Sequence, residues 1–584
     1  MMTTSSPTSK NWVRTCSPAT FHQLLKTINP RRHPALLRER AAADLPLFVR
    51  LALPDFARLP FAPFHRQLFA WHRRMGEPPF PDRAGLRFAV AAPRGSAKST
   101  LASFALVLHD LAYRRERYIV LVSATQRQAQ QRLAALRAEL LGRGAITRFY
   151  PELCGRANVE STERALVVGG VRVEAFGCGA EMRGISHDGW RPTKIILDDA
   201  ESTAAADSPR RRAKTHDWFA EVIEHLGDGA THMLAVGTIL HPAGLLPALI
   251  GRPDFEGLVL PSVQAFPPPS PAWEEWRRLL SDPATPGRRA AARGYFLEHR
   301  RAMEAGTAVL WPEHEDIEHL MAQMIANGRR AFYQEKQNQP LGPEDALFEP
   351  ERYWRARPAT GGAVDLLPPA SHGAPAQPPR RVEGPLRVFG FLDSALGKSR
   401  AQGTGDFAAL ARVAVAEGGL LILLDLWVKR AKPSEQVAAL FAMHEELPFE
   451  RLAVEGTGFQ ELLTLPIEEE RRRRGAEGLP GADLVIEVVK PTRRKEARIA
   501  ALEPLLANGR LVLGETLPEE FWEELARFPR TAHDDALDAA AGAAALAQRS
   551  AQRRGSGSDF EAESLHHAPR PGQKPLKRRD LCHG

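Results

Sequence analysis

The residues whose order most directly suggests chemistry are Lys98, Ser99 and Thr100. They follow an apolar stretch, Leu86–Ala91, and a short loop, and they precede an apolar helical stretch, Leu101–Leu111. Strand, loop, Lys-Ser-Thr and helix is the order of a P-loop, in which backbone N–H groups and a helix N-terminus hold phosphate oxygens. Lys98 is then expected to reach the β and γ phosphates of ATP, and the Ser99 hydroxyl to ligate Mg²⁺. The loop residues expected to bind the nucleotide are Arg94, Gly95, Ser96, Ala97, Lys98, Ser99 and Thr100.

This loop departs from the standard P-loop pattern at two positions. The pattern places glycine where this sequence has Ala92 and Ala97. An ordinary strand-to-helix turn in which Ser99 caps the helix is therefore the alternative interpretation.

Three further apolar strands favour the nucleotide site. The first is Tyr118–Val122; the second, Lys194–Leu197, ends in Asp198-Asp199-Ala-Glu201; the third, Met233–Gly237, ends at Thr238. Asp198 is expected to hold Mg²⁺ through water, and either Asp199 or Glu201 to orient and deprotonate the attacking water. Thr238 is placed to sense the γ-phosphate. This ordered set on successive strand ends predicts an ATPase.

A second group of carboxylates lies in the C-terminal half. Asp393 and Glu455 each end an apolar strand, and Asp534, Asp535 and Asp538 begin an Ala-rich helix. On a helix, residues three or four positions apart share a face. Such a set predicts a site for two Mg²⁺ or Mn²⁺ ions that activate water and stabilise the leaving oxygen of a phosphodiester. The alternative is that the helix residues are caps and the other two are solvated strand ends.

These residues require two α/β regions to position them. The chain has 584 residues, enough for about three domains. Strands alternate with helical stretches from Leu86 to about Ile250 and again from Leu386 to about Gln548, which is the rhythm of α/β sheets. The predicted units are an N-terminal polar and helical arm (1–60), a P-loop domain (61–250), a subdomain and connector (251–356), a Pro-rich linker (357–385), a nuclease domain (386–548) and a disordered basic tail (549–584).

Composition excludes several classes of protein. The net charge is +8, from 78 Lys and Arg against 70 Asp and Glu, and hydrophobic residues make up 43%. A wholly disordered or fibrous chain is thereby excluded. The four cysteines form no C-x-x-C pair, no stretch approaches the ~18–20 apolar residues of a membrane span, and the N-terminus lacks an apolar signal core. We therefore expect an intracellular protein that is neither secreted nor membrane-bound.

Several stretches resemble the large terminase subunit of tailed bacteriophages over about residues 60–545. They are Pro93-Arg94-Gly95 with Lys98-Ser99, Ser123-Ala-Thr125, Arg191-Pro192 before Asp198-Asp199, Phe332-Tyr-Gln-Glu-Lys-Gln-Asn-Gln-Pro340, Val454-Glu455 with Gly458-Phe459-Gln460, and His533-Asp-Asp535 with Asp538-Ala539. The resemblance implies a P-loop ATPase domain of the RecA/ASCE type followed by a ribonuclease-H-like nuclease domain. It also accounts for Ala92 and Ala97, because this family departs from the standard glycines.

The resemblance implies roles for individual residues of the first site. Arg94 would be a cis-acting arginine that stabilises charge on the γ-phosphate; the alternative is an exposed loop residue. Gln67 would read adenine; the alternative is a polar residue on an amphipathic helix. Gly237-Thr238 would couple hydrolysis to DNA movement.

In the second site the resemblance implies that Asp393, Glu455 and Asp535 are the metal ligands. Whether Asp534 or Asp535 is the ligand stays open, with Asp538 as a neighbour. Asp406 and Asp425 are at best supporting residues. Two basic clusters are weaker candidates for DNA contact: Arg210, Arg211, Arg212 and Lys214, and Lys490, Arg493, Arg494 and Lys495.

The implied function is ATP-driven translocation of double-stranded DNA into a procapsid, with metal-dependent cutting of concatemeric DNA. The implied partners are a portal protein and a small terminase subunit, with a homo-oligomeric ring, a pentamer, on the portal. The expected location is the cytoplasm of a bacterial host, and transiently the procapsid. The alternatives are a helicase-nuclease of repair or defence and a non-catalytic prophage remnant. The sequence leaves open headful versus site-specific cutting.

Overall fold

The computed structural model describes residues 34–76, 84–142, 144–283, 286–340, 346–369, 379–394, 407–456, 461–531 and 533–555. Two large sheets dominate it, one of eight strands and one of nine. Both predicted α/β regions are therefore confirmed.

Three helices precede the first sheet: α1 Pro34–Ala41, α2 Leu45–Ala52 and α3 Pro63–Met75. Leu37, Leu47 and Phe48 are buried in the same hydrophobic core as Phe64 and Leu68 of α3. The prediction of a separate arm over residues 1–60 is thus wrong for α1 and α2, because their apolar faces belong to the core of the first domain. Residues 1–33 lie outside the described residues.

The first sheet has the order β3-β4-β5-β2-β6-β7-β1-β8. All neighbours from β5 to β8 are parallel, and β3, β4 and β5 pair antiparallel. The parallel strands put the ends of β1, β6 and β7 on one edge of the sheet. The strands are β1 Arg87–Ala91, β2 Tyr118–Ser123, β3 Val159–Ser161, β4 Ala165–Val168, β5 Val171–Gly177, β6 Lys194–Asp198, β7 His232–Gly237 and β8 Glu256–Val259.

Helices cover both faces of this sheet. Phe88 and Val90 of β1 enter one core and Ala89 enters the other, as the two-residue period of a strand requires. A π-helix, Thr100–Ala105, follows the predicted loop, and a second one spans Phe219–Ile223. The α-helices are α4 Leu106–Tyr113, α5 Gln126–Leu141, α6 Ala145–Phe149, α7 Thr203–Ala206, α8 Pro209–Trp218 and α9 Leu245–Ile250, with a 3-10 turn at Pro151–Leu153.

A helical connector with its own apolar core follows the first sheet. Trp273, Trp276 and Phe296 are at the centre of this core, beside a two-stranded ribbon. The ribbon is made of β9 Val263–Ala265 and β10 Ala308–Val309. The helices are α10 Pro271–Ser281, α11 Arg288–Glu298, α12 Arg300–Glu304, α13 Ile317–Asn327 and α14 Arg329–Gln337.

The second sheet has the order β13-β12-β11-β19-β16-β15-β14-β17-β18. The central strands β14, β15 and β16 are antiparallel, and β17 runs parallel to β14. The ends of β14 and β17 therefore lie side by side. The strands are β11 Arg355–Pro358, β12 Val364–Leu367, β13 Arg380–Val382, β14 Arg387–Asp393, β15 Ala408–Val415, β16 Leu421–Lys429, β17 Arg451–Glu455, β18 Ile486–Val489 and β19 Leu511–Gly514.

A long Ala-rich helix, α20, packs across this sheet. Gly542 permits the contact, because a β-carbon there would lie 2.5 Å from the Phe391 ring of β14. The helices are α15 Pro433–Glu446, α16 Glu461–Glu477, α17 Lys495–Ala500, α18 Leu502–Ala507, α19 Glu519–Arg527 and α20 Asp535–Gly555, with 3-10 turns at Pro350–Arg352, Thr360–Gly362 and Glu417–Gly419. None of the described helices has the length and apolar character needed to cross a membrane.

Two predicted boundaries need correction. Residues 357–385 are not simply a linker, since β12 and β13 lie within them and β11 joins them to β19 of the second sheet. Pro and Gly occupy the turns and strand ends there, so their abundance does not exclude strands. The predicted tail also begins too early, because α20 continues to Gly555; residues 556–584 lie outside the described residues.

Candidate active sites

The loop after β1 has the backbone shape of a P-loop although two of its expected glycines are alanines. Gly95 has a φ of 86° and Ala97 a φ of 63°, both in the left-handed region. A non-glycine residue there costs roughly 1–2 kcal/mol. The loop therefore keeps its turn at Ala97 against a steric penalty, and Lys98 follows it at the start of the helical stretch.

Lys98 points toward the ends of the neighbouring strands. Its Nζ donates to Thr238 Oγ1 at 3.0 Å and lies 3.8 Å from Asp199 Oδ2. Burial lowers the pKa of Lys98, and the carboxylates of Asp199 and Asp198 oppose that shift. The structure thus brings Lys98 and Thr238 together, as the sequence predicts for a site that grips terminal phosphates.

Asp198 is buried beneath the loop, where two hydroxyls donate to it and Arg132 forms an ion pair with it. Ser99 Oγ lies 2.6 Å from Oδ1, while Ser103 Oγ and Arg132 Nε lie 2.8 and 3.1 Å from Oδ2. Burial raises the pKa of Asp198. A hydroxyl and a carboxylate oxygen this close are the donor types that Mg²⁺ prefers, so Ser99 and Asp198 fit the metal that accompanies ATP.

Two residues that contact Asp198 were not predicted from the sequence, Ser103 and Arg132. Ser103 is four residues beyond Ser99, which is the only local signal for it. Arg132 lies on α5, and only the fold brings it to Asp198.

The two candidate bases, Asp199 and Glu201, have different environments. Asp199 has a left-handed φ of 48°, and its Oδ1 accepts from Thr238 N at 3.1 Å. Glu201 Oε2 instead accepts from Leu245 N at 2.7 Å and so caps α9. Only Asp199 of the two is in contact with Lys98 and Thr238, so the geometry favours Asp199.

The tip of the loop is held by α14. Arg94 N donates to Glu335 O at 2.9 Å, and Arg94 Nε lies 3.3 Å from Glu335 Oε2. Lys336 Nζ donates to Arg94 O at 3.0 Å and pairs with Glu315 at 2.7 Å. The Arg94 side chain is 75% exposed, so it is free to exchange partners. The sequence marks residues 332–340 as a motif without showing that they hold this loop.

A cavity of about 290 Å³ between α3 and β8 is lined by Gln67. Helix α3 is tied to the loop, because His65 Nε2 is 2.8 Å from Ser96 O. Burial lowers the pKa of His65 to about 4, so the ring is neutral at pH 7. Trp71 and Leu260 also line the cavity, and Leu260 N donates to Ala91 O at the end of β1. The cavity is large enough for a nucleobase, and hydrogen bonds of His65 and Leu260 link its walls to the phosphate loop and to the end of β1.

Three carboxylates converge at the edge of the second sheet. Asp393 ends β14, Glu455 ends β17 and Asp538 lies in the first turn of α20. One oxygen from each lies within 4.8 Å of the others. The structure therefore brings together Asp393, Glu455 and Asp538 of the predicted set, whereas Asp535, the ligand implied by the family resemblance, is not in this group.

The charges of this cluster (Asp393, Glu455 and Asp538) require compensation. Burial raises the pKa of Asp393 to about 8, and the carboxylates of Asp538 and Glu455 contribute to that rise. Burial also raises the pKa of Glu455 and of Asp538. Clustered oxygen donors whose ionisation is this unfavourable fit a hard divalent cation such as Mg²⁺ or Mn²⁺.

Two cations from α17 border the cluster. Lys495 Nζ lies 2.7 Å from Asp534 Oδ1 and 2.5 Å from Asp535 Oδ1. Arg498 Nε donates to Asp538 Oδ1 at 2.9 Å, and its Nη2 lies 3.5 Å from Glu455 Oε2. Asp534 and Asp535 thus pair with Lys495 and lie outside the three-carboxylate cluster. Sequence reasoning missed Arg498, whose only signal is its position three residues after Lys495.

Among the residues that the structure describes, the remaining candidates do not contact either group of carboxylates. Asp425 Oδ2 lies 3.2 Å from Arg412 Nη1. Asp406 and the stretch Gly458-Phe459-Gln460 lie outside the described residues. Several basic candidates are exposed side chains: Arg210, Arg211, Lys214, Lys490, Arg493 and Arg494.

Comparison with known proteins gives structural likenesses only. No protein-family model matches the sequence, and no curated protein matches it. The large terminase of a thermophilic bacteriophage, in complex with ATP-γ-S, is 12% identical, with 82% of this chain and 98% of that chain covered and a TM-score of 0.38. The HK97 bacteriophage large terminase is 14% identical, with 81% and 90% covered and a TM-score of 0.28. The Mn-soaked human cytomegalovirus terminase nuclease domain is 13% identical, with 27% and 82% covered and a TM-score of 0.22. Each of these three solved structures is a terminase or a terminase domain.

Proposed function

We propose that this protein hydrolyses ATP to move double-stranded DNA and cuts that DNA with a metal-dependent nuclease, as the large terminase subunit of a tailed bacteriophage. The observation that carries the proposal is the presence in one chain of two separate centres. One centre joins Lys98, Thr238 and Asp199 at a phosphate loop, and the other joins Asp393, Glu455 and Asp538.

In the first centre, each residue has a distinct task. The loop N–H groups and Lys98 bind the β and γ phosphates. Ser99 and Asp198 would hold Mg²⁺, which neutralises phosphate charge when bound. Asp199 orients the attacking water and accepts its proton, while Thr238 keeps Asp199 in place through its N–H at 3.1 Å. Arg94 stabilises the charge that develops on the γ-phosphate after exchanging Glu335 for it.

In the second centre, Asp393, Glu455 and Asp538 would hold one or two divalent ions. Such ions activate water and stabilise the leaving oxygen when they are bound. Arg498 keeps the carboxylate of Asp538 oriented through its Nε at 2.9 Å. Lys495 lies at the border of the cluster, where it can attract a DNA phosphate.

The finer elements of the proposal concern the assembly. We propose that the motor drives DNA into a procapsid through a portal protein, that a small terminase subunit selects the start site, and that the chain works as a pentameric ring. A helicase-nuclease would use the same two centres. It is distinguished by unwinding of duplex DNA, whereas a packaging motor translocates intact duplex.

The test uses two single variants of the full chain. Lys98→Ala should lower ATP turnover by at least about 10²-fold while Mn²⁺-dependent cutting of plasmid DNA continues. Asp393→Ala should give the opposite pattern. Unchanged ATP turnover in Lys98→Ala, or unchanged cutting in Asp393→Ala, would refute the corresponding assignment. Protection of DNA inside purified procapsids in the presence of ATP then tests the packaging role.

A further inference from the structure

A cavity of about 140 Å³ lies where the helical connector meets the second sheet's domain. Helices α10 and α14 contribute Arg277 and Arg329 from the connector side. Residues Glu349, Arg352 and Glu503 come from the other side, with Glu503 on α18. This cavity is separate from both candidate active sites and shares no residue with them.

The ion pairs of the cavity leave one of its arginines without a partner among the residues described. Arg329 Nη1 lies 2.5 Å from Glu349 Oε1, and Arg352 Nε lies 3.3 Å from Glu349 Oε2. Glu503 is buried, and its Oε2 accepts from the backbone Arg329 N at 3.1 Å. The Glu349 carboxylate thus pairs with two guanidinium groups, whereas the Glu503 carboxylate accepts from a backbone amide.

The arginine without a partner among the described residues is Arg277. No hydrogen bond or ion pair joins its guanidinium to any residue that the structure describes. Burial and the nearby charge of Arg352 lower the pKa of Arg277, and the carboxylates of Glu349 and Glu274 oppose that shift. Arginine nevertheless stays charged in proteins. A partly buried guanidinium that pairs directly with no described carboxylate is unfavourable, so a small anion in the cavity would stabilise it.

We propose that this cavity binds a phosphoryl group through Arg277, with Arg329 and Arg352 at its border. The planar guanidinium matches two phosphate oxygens at once. A cavity of about 140 Å³ has room for several water molecules and therefore for a phosphate ion. Free phosphate and the terminal phosphate of a nucleotide share this chemistry.

Binding at this position holds two parts of the chain together. Arg277 and Arg329 belong to the connector that also holds the phosphate loop, whereas Arg352 and Glu503 pack with the second domain. An anion between them therefore stabilises the contact between the two domains. This inference does not depend on the proposed catalytic activities.

The test measures phosphate binding to the full chain in a Lys98→Ala background, so that the phosphate loop does not contribute. Thermal unfolding is followed while sodium phosphate, or in a second arm ADP, is titrated at constant ionic strength. We expect the melting temperature to rise with the bound ligand. Arg277→Gln should weaken binding by about tenfold or more, and Arg277→Lys by less.

The matched control is Arg278→Gln on the same helix. Arg278 pairs with Glu275 at 2.6 Å and does not line the cavity. Binding that survives Arg278→Gln but not Arg277→Gln supports the proposal, and the arm in which it occurs identifies the source of the phosphate. The proposal is overturned if neither ligand raises the melting temperature, or if Arg277→Gln binds as well as its parent.

Discussion

The two carboxylate centres differ in how their negative charge is balanced. In the first, Asp198 is 2% exposed and is surrounded by Ser99, Ser103 and Arg132, so one buried carboxylate is neutralised by the protein. In the second, three carboxylates approach within 4.8 Å with Arg498 as the principal counter-charge. On the proposed function, the first centre would receive an anionic ligand that brings its own metal. The second would attract the metal itself.

The largest effect is expected from Asp199, the proposed base of the first centre. Asp199→Asn should lower the kcat for ATP by about 10²–10⁴-fold, because the proton acceptor is lost while its shape is kept. Glu201→Gln is the matched variant and should change kcat only a few-fold, since its amide oxygen still caps α9. Steady-state ATPase kinetics would contradict this assignment if the two variants were equally impaired.

The next largest effect separates Asp538 from Asp535 in the second centre. Asp538→Asn should reduce Mn²⁺-dependent cutting by about 10²-fold or more, because it removes a ligand. Asp535→Asn should cost about tenfold, an effect typical of residues that only orient a site. Cutting is measured against Mn²⁺ concentration. A greater loss of cutting in Asp535→Asn than in Asp538→Asn would instead support the ligand set implied by the family resemblance, which contains Asp535.

A smaller effect is expected at the loop tip. Glu335→Gln removes a carboxylate that competes with the nucleotide for Arg94 and lies near Lys98. The KM for ATP should fall a few-fold while kcat stays within about twofold, since exposed ion pairs are weak. Glu313→Gln, an exposed neighbour, is the control. A tenfold fall in kcat would show instead that Glu335 takes part in the chemistry.

The last prediction concerns stability between the domains. Burial raises the pKa of Glu503 to about 7, from an ordinary value of 4.5. Its contribution to stability is therefore fully present below pH 4.5 and is lost as the pH rises through 7. Glu503→Gln does not ionise, so its unfolding free energy relative to wild type should increase between pH 5 and 8, by at most on the order of 3 kcal/mol.

Chemical denaturation at several pH values measures this difference. The exposed Glu487→Gln serves as the control, and a difference that does not change with pH would contradict the assigned shift.

Local sequence order predicted much of both centres, because strands that end in Asp198, Thr238, Asp393 and Glu455 carry their side chains to predictable sheet edges. The choice between Asp535 and Asp538 was not predictable. Both lie on one helical face, and the rotation of α20 depends on the contact between Gly542 and Phe391.

The long-range contacts could also not be predicted from the sequence. Nothing local connects Glu335 with Arg94, or Arg132 with Asp198. The strands β12 and β13 were missed because their Pro- and Gly-rich surroundings resemble a linker, whereas pairing with the second sheet decides their structure.

Helix α14 connects the phosphate loop mechanically to the second domain. Its C-terminal end binds Arg94 N through Glu335 O at 2.9 Å, and at its first residue Arg329 N binds Glu503 at 3.1 Å. A helix of nine residues is about 13 Å long and resists bending over that length. A displacement of the loop tip therefore either breaks one of these hydrogen bonds or is transmitted along α14 to α18 of the second domain.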